Sequence, residues 1–180
     1  MRRQGLLPVL AVIAIAMTAR PARATTFELE ALSWQARTAP GAAAKSAPIQ
    51  TLALAKNEKV AGRLSAKLNF LNRGPAVEGV LIRYSLEGKI APAGHPDQAA
   101  WAVPFLVDEK RVPKVNANSH VETTLLVGDP DAQIDIYLKN IAYDGYAVQA
   151  LRLRVMISPR RGQEAPIQVL DSELPIEVKP

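Results

Sequence analysis

Two histidines are the side chains best suited to acid–base or metal chemistry in this 180-residue sequence, which contains no cysteine. Together with Asp97 or Glu122, His95 and His120 would offer the imidazole and carboxylate ligands that metal ions accept. Their spacing matches no known ligand pattern, and His95 lies in an AGHPD segment typical of a solvated loop. The sequence therefore predicts surface histidines, no metal site and no cofactor.

Three aspartates form a second candidate for metal chemistry, because carboxylate oxygens bind Ca²⁺. Asp129, Asp131 and Asp135 do not follow the EF-hand order, which places a glycine at the sixth position. Asp129 and Asp131 flank a proline and are typical of a turn, and Asp135 is expected to pair with Arg154. These residues predict a turn and an ion pair, and no calcium site.

Nucleophilic catalysis needs a serine on a strained turn or beside a base, and the sequence has neither G-x-S-x-G nor S-x-x-K. Ser119 precedes His120, but neighbouring residues of a strand point to opposite faces and do not share a proton easily. The carboxylate pairs at 28/30 and 108/109 are interpreted as solvated positions. No glycine-rich phosphate loop occurs. The sequence therefore predicts a protein that is not an enzyme.

Two tyrosines and two arginines are the predicted binding residues. Tyr143 and Tyr146 flank an Asp-Gly pair typical of a two-residue hairpin turn, so they are expected at an exposed tip. Such a pair can contact a protein or stack on a sugar, although the rings can also pack on each other and stabilise the hairpin. Arg152 and Arg154 would form a basic stripe on one sheet face, either for an acidic partner or simply solvated.

The hairpin that would position these residues covers 133–158. A turn at 144–145 places apolar residues opposite one another on one face and polar pairs on the other. The expected apolar pairs are Ile141 with Val148, Leu138 with Leu151, Ile136 with Leu153 and Ile134 with Val155. The expected polar pairs are Asp135 with Arg154 and Tyr137 with Arg152.

Alternating apolar residues predict further strands, most clearly over 63–71 and 76–87. These two either pair directly, through a turn at 73–74 and a bulge at Gly79, or belong to two packed sheets that the turn connects. Segment 108–119 is a loop or a guarded edge strand, and Trp34 and Trp101 are expected in the core. Another strand is predicted over 25–35, with a helical turn and a half as the alternative. Further strands are predicted over 49–55, 101–107, 120–127, 166–170 and 174–178.

The strand pattern and the regular turns predict an all-β fold, an Ig-like antiparallel β-sandwich of about seven to nine strands. One domain covers 25–180, with a flexible connection at 38–48. Residues 68–74 (LNFLNRG) resemble the strand and N-x-G turn of Ig-like modules in bacterial exported proteins. That resemblance implies an Ig-like sandwich with an adhesion or assembly role, and it transfers no functional residue.

Residues 1–24 are typical of an export signal, with a basic start, an apolar run over 6–19 and a small-x-small site at 22–24. The net charge of +5 (22 basic, 17 acidic) includes four arginines of this segment, so the remainder carries 18 minus 17, or +1. This balance argues against nucleic acid as a partner, and the 14-residue apolar run is short for stable membrane insertion, which needs about 20 residues.

The predicted function is therefore that of an exported, non-enzymatic protein in the periplasm or outside the cell. It is expected to act through contacts with an envelope or secreted protein. The alternative is a small-ligand or carbohydrate-binding module.

Overall fold

The computed structural model describes residues 27–37, 46–55, 59–60, 64–127, 133–158 and 167–178, and the predicted signal segment lies outside them. Two β-sheets pack face to face, which confirms the prediction of an all-β sandwich. The strands, in chain order, are β1 Phe27–Arg37, β2 Ser46–Pro48, β3 Leu52–Leu54, β4 Leu64–Asn72, β5 Val77–Pro92, β6 Ala100–Trp101, β7 Leu106–Val115, β8 Ser119–Leu126, β9 Tyr146–Ser158 and β10 Gln168–Val178. A helix, α1, covers Gln133–Tyr143, and a 3-10 turn covers Pro96–Gln98.

The smaller sheet has the antiparallel order β2-β1-β4-β8. The prediction of a strand over 63–71 is confirmed by β4, whose alternate residues Leu64, Ala66, Leu68 and Phe70 are buried. Phe70 meets Phe27 of β1 edge to face, with ring centroids 5.9 Å apart. The apolar alternation of β4 therefore builds one wall of the core.

The larger sheet has the order β3-β10-β9-β5, and the other edge of β5 pairs with both β6 and β7. Its pairs are antiparallel except β3 with β10. Val80, Ile82, Tyr84 and Leu86 of β5 face inward and are buried. The two strands predicted over 166–170 and 174–178 are not separate, because residues 168–178 form the single strand β10.

The turn between β4 and β5 connects the two sheets, which confirms the second of the two predicted routes. Direct pairing through a bulge at Gly79 is wrong, because β4 and β5 belong to different sheets. The buried side chain of Asn72 stabilises this turn. It donates to the carbonyls of Pro75 at 2.8 Å and Asn116 at 2.9 Å, and it accepts from the Gly74 N–H at 3.0 Å.

The hairpin predicted over 133–158 is wrong, because its first half is α1 and only its second half is a strand. Gly145 has φ 80° and ends the helix, with its N–H donating to the Ala142 carbonyl at 3.2 Å. A glycine after the last helical turn commonly adopts this left-handed conformation. The Asp-Gly pair is therefore a helix end, and β9 pairs with β5 and β10 instead.

Two edge strands, one in each sheet, test the sequence predictions. The C-terminal part of the predicted flexible connection, Ser46–Pro48, is β2 and pairs with β1, while 38–45 lie outside the described residues. The edge-strand alternative for 108–119 is confirmed by β7, which carries charges and Pro113. No helix in the described ranges is long and apolar enough to cross a membrane.

Candidate functional site

The four predicted binding residues lie in two separate settings. Tyr143 is the last residue of α1, and Tyr146 is the first residue of β9. Their side chains are 91% and 42% exposed, so both reach solvent, but at a helix end and not at a hairpin tip. Arg152 and Arg154 lie further along β9. The two pairs therefore have to be considered one at a time.

Arg152 belongs to a three-residue cluster on the outer face of the larger sheet. Its guanidinium donates from Nε and Nη2 to the buried carboxylate of Glu87, with Nε at 3.1 Å. The same guanidinium lies 4.3 Å from the centre of the Trp101 ring. The predicted pair of Tyr137 with Arg152 is therefore wrong. Trp101 is only partly buried in this outer cluster, so its predicted core position is wrong as well.

Trp34, the other tryptophan expected in the core, is confirmed there. Its side chain is 3% exposed, and the indole N–H donates to the Ser172 hydroxyl at 3.1 Å. This bond joins β1 of one sheet to β10 of the other. Trp34 therefore acts as an anchor between the sheets and not as a surface for a ligand.

Arg154 pairs with Asp171 of β10, so the predicted pair with Asp135 is wrong. Two bonds of 2.9 Å join the guanidinium to both carboxylate oxygens. The hydrogen bond and the charge of Asp171 raise the pKa of Arg154, and the hydrogen bond from Arg154 lowers the pKa of the Asp171 carboxyl. Both arginines of the predicted basic stripe have carboxylate partners. The Arg154 pair is open to solvent, whereas the Arg152 pair is largely buried.

The two histidines lie on different elements. His120 of β8 places Nδ1 3.1 Å from a Glu30 carboxylate oxygen on the outer face of the smaller sheet. His95 precedes the 3-10 turn, and its backbone N–H donates to the Pro92 carbonyl. Within the described ranges, no group of three histidine or acidic side chains is arranged to hold a metal ion.

Of the three candidate calcium ligands, Asp129 and Asp131 lie outside the described residues. Asp135 lies in the first turn of α1, and its carboxylate accepts a hydrogen bond from the Val60 N–H at 2.7 Å. Asp135 therefore connects the helix to the segment that contains residues 59 and 60.

Helix α1 has three distinct faces, as expected from about 3.6 residues per turn. The first face packs on the core through Ile134, Tyr137 and Ile141. The second face is turned to solvent and carries Ile136 and Tyr143, two turns apart. The third face lines a groove and carries Asp135, Leu138, Lys139 and Ala142.

The orientation of α1 depends on Tyr137. Its ring stacks on Phe105 with centroids 3.9 Å apart and planes 10° from parallel. The hydroxyl is buried without a hydrogen-bond partner among the described residues, and this burial raises the pKa of Tyr137. A Cβ at Gly88 of β5 would lie 2.5 Å from the hydroxyl oxygen, so only glycine leaves room for the ring.

A surface that we call the helix surface consists of Ile136, Asn140 and Tyr143 of α1 and Val103 of the adjoining loop. Ile136 is 55% exposed, Tyr143 91% and Val103 82%. The loop at 102–105 is placed next to the helix because its Phe105 stacks on Tyr137. Three large apolar side chains are therefore exposed on two segments that pack together, an arrangement typical of contact surfaces.

A second feature, which we call the α1–β9 groove, lies between the helix and the strands β3, β9 and β10, with a volume of ≈ 580 Å³. Tyr146 lines it, so one of the four predicted binding residues reaches a concave site. The other described lining residues are Leu54, Ala55, Lys59, Asp135, Leu138, Lys139, Ala142, Ala147, Val148, Ile176 and Val178.

Sequence reasoning missed the helix surface and the groove because both depend on α1. The signal was present: Ile134, Tyr137, Leu138 and Ile141 recur at spacings of three and four, which is a helical period. The alternation of Ile134, Ile136 and Leu138, followed by Asp-Gly, favoured a hairpin instead. The exposed Ile136 is the residue that distinguishes the two patterns.

No protein-family model and no curated protein matches the sequence. Among solved structures, a β-glucosidase from Erythrobacter marinus is similar with 12% identity and a TM-score of 0.42, over 85% of this chain and 16% of that one. The chain thus spans about a sixth of the glucosidase's length. A protein from Archaeoglobus fulgidus is similar with 13% identity and a TM-score of 0.33, over 83% of this chain and 98% of that one. Scores this low carry no argument about function.

Proposed function

We propose that the protein is an exported, non-enzymatic β-sandwich domain that acts by contacting another protein of the cell envelope or the extracellular space. The observation that carries this proposal is the helix surface, where Ile136 and Tyr143 of α1 and Val103 of the adjoining loop expose large apolar groups. Covering large exposed apolar groups with a partner lowers the free energy of the system. Tyrosine is also enriched among the residues that contribute most to binding at interfaces.

The packing of helix α1 on the adjoining loop supports this function. The stacked rings of Tyr137 and Phe105 connect the helix to the loop, and Gly145 ends the helix at a defined place. A surface that is already ordered loses less conformational entropy when it binds. We therefore expect the helix surface to change its conformation little when the partner binds.

The setting of the polar side chains supports a role other than catalysis. The hydroxyl of Tyr84 donates to Asp108 at 2.7 Å and to the Leu126 carbonyl at 3.3 Å. Burial is the main cause that raises the pKa of Tyr84, and the hydrogen bond to Asp108 is the second. Arg152 and Arg154 are likewise engaged with carboxylates. These groups connect strands and sheets, so their role is to stabilise the fold.

Export and the Ig-like character belong to the same proposal. Residues 1–24 have the composition of a signal peptide. The N-x-G turn at 72–74 connects one sheet to the other, as expected for a sandwich module of this kind.

The test is capture of a partner from the envelope fraction of the protein's own host by the purified, tagged protein. A variant carrying Ile136→Ala and Tyr143→Ala should lose the captured partner. A matched control carrying Val107→Ala and Val169→Ala removes exposed apolar groups elsewhere and should retain it. Circular dichroism should show the same strand content in all three proteins. Equal capture by both variants, or no captured protein at all, would contradict the proposal.

A small-ligand module is the second candidate, and the α1–β9 groove is the observation that favours it. Its volume of ≈ 580 Å³ lies within the range usual for ligand sites, about 300–1,000 Å³. The groove contains Tyr146 but neither Arg152 nor Arg154, so a ligand here would use a different set of side chains from the predicted four.

A further inference from the structure

We infer that the α1–β9 groove binds an anionic single-chain amphiphile, a carboxylate headgroup on one alkyl chain. This inference rests on the small-ligand candidate above and is independent of the helix surface. It assigns a site and a ligand class to residues of α1, β3, β9 and β10.

The lining of the groove matches an alkyl chain. Aliphatic side chains come from four elements: Leu54 of β3, Leu138 and Ala142 of α1, Val148 of β9, and Ile176 and Val178 of β10. Covering such surface is worth about 25 cal/mol per Å² of apolar area. A single chain fits a groove of ≈ 580 Å³, and it leaves no polar group unpaired against the aliphatic wall.

The charges of the groove match a carboxylate. Lys59 and Lys139 both line it with exposed side chains, and neither ammonium has a carboxylate within ion-pair distance among the residues that the structure describes. Asp135 also lines the groove and accepts the Val60 N–H at 2.7 Å, so the three charged groups leave an excess of one positive charge for an anionic headgroup. Flexible lysine stems can bring both ammonium groups to one headgroup while their methylene groups cover the chain.

The same residues disfavour other occupants. A peptide added as a strand would lie beside β3, which is only three residues long and offers few main-chain hydrogen bonds. A sugar would need several polar side chains and an aromatic platform, whereas the described lining is mostly aliphatic and Tyr146 is its one aromatic residue. An amphiphile uses both the apolar wall and the two cations.

The first experiment titrates sodium dodecanoate, below its micelle concentration, into the purified full chain and measures the heat of binding. Ala142→Trp places an indole in the groove and should abolish saturable binding. The control Gln133→Trp makes the same kind of change at the exposed first residue of the same helix, outside the groove and the helix surface, and should bind as the unchanged protein does. Absence of saturable binding to the unchanged protein, or equal loss in both variants, would overturn the inference.

The second experiment tests the headgroup. Replacing both lysines, Lys59→Gln with Lys139→Gln, should weaken dodecanoate binding at least tenfold, and dodecyltrimethylammonium should not bind the unchanged protein. Equal binding of the two amphiphiles, or no effect of the lysine substitutions, would overturn the assignment of an anion. Saturable binding of an apolar peptide in place of dodecanoate would overturn the ligand class.

The two surfaces can be separated in the same proteins. The Ile136→Ala, Tyr143→Ala variant should lose its protein partner and still bind dodecanoate. Ala142→Trp should show the opposite behaviour. Failure of dodecanoate binding with intact partner capture would overturn the groove assignment and leave the proposed function standing.

Discussion

The outer face of the larger sheet and helix α1 differ in how far their side chains find partners within the protein. On the sheet face, Arg152 and Arg154 are engaged with Glu87 and Asp171. On the helix, Ile136 and Tyr143 are exposed, and Lys139 has no carboxylate partner among the described residues. On the sheet face, the charged groups already form ion pairs with each other, so few of them are available to bind a partner. The region with unsatisfied apolar and charged groups is therefore where binding is expected.

Among the substitutions that test this difference, the largest loss of stability is expected at Glu87 on the sheet face. Glu87→Gln removes the charge that faces a guanidinium only 19% exposed, so the free energy of unfolding should fall by about 2–3 kcal/mol. Glu173→Gln is the matched control, because Glu173 faces Arg152 from β10 but is exposed, and its change should stay within about 0.5 kcal/mol. Urea denaturation measures both, and equal losses would contradict a scaffold role for Glu87.

A smaller effect is expected where the sheet meets the helix. Gly88→Ala adds a Cβ 2.5 Å from the Tyr137 hydroxyl and should cost about 2 kcal/mol, because the stacked ring has to move. Combining it with Tyr137→Leu removes the ring that the new methyl group meets. The double variant should therefore lose less stability than the sum of the two single variants, and strict additivity would show that the two residues do not interact.

Helix α1 can be perturbed without touching any other side chain. Gly145 has φ 80°, and a Cβ there would meet nothing within 4 Å, so Gly145→Ala should cost about 1 kcal/mol through backbone conformation alone. Gly145→Asn should cost less, because asparagine tolerates this conformation better. Thermal denaturation compares the two. Equal costs would mean that the left-handed backbone is not the cause.

The smallest effect concerns acid stability and the exposed pair of Arg154 with Asp171. The hydrogen bond from Arg154 lowers the pKa of Asp171 in the folded protein, so the pair stabilises the fold above the ordinary aspartate pKa. That contribution is lost as the pH falls through the lowered value. The difference in melting temperature between the unchanged protein and Asp171→Asn should therefore be small near neutral pH and vanish in acid. A difference that grows in acid would contradict this assignment.

Much of the sandwich could be predicted from the sequence, because a strand with one buried face shows a period of two. The alternation in β4 and in the first part of β5 places Leu68 and Ile82 in the core, where the structure has them. The partners of β9 could not be predicted in this way. Strand pairing joins residues that are far apart in the chain. The register of β9 with β10 places Arg154 opposite Asp171, and the local sequence around either residue does not indicate this pairing.

The candidate sites were predictable only in part. Tyr143 and Tyr146 were expected at an exposed place and are exposed, but their setting depends on α1. Residues 133–143 satisfy a helical and a strand period at once, so local pattern could not choose between them. The groove brings Lys59 and Lys139 together from distant parts of the chain, which sequence reasoning did not anticipate.

By itself, the sequence determined that the chain folds as an all-β sandwich, because alternating apolar residues between turns can be buried only by facing sheets. Only the tertiary structure decided that 133–143 is a helix. Ile134, Tyr137 and Ile141 find room on the core in that form, next to a glycine at 88 that admits the Tyr137 ring. The physical reason is that packing against the finished sheet selects one of two local conformations that the sequence allows about equally well.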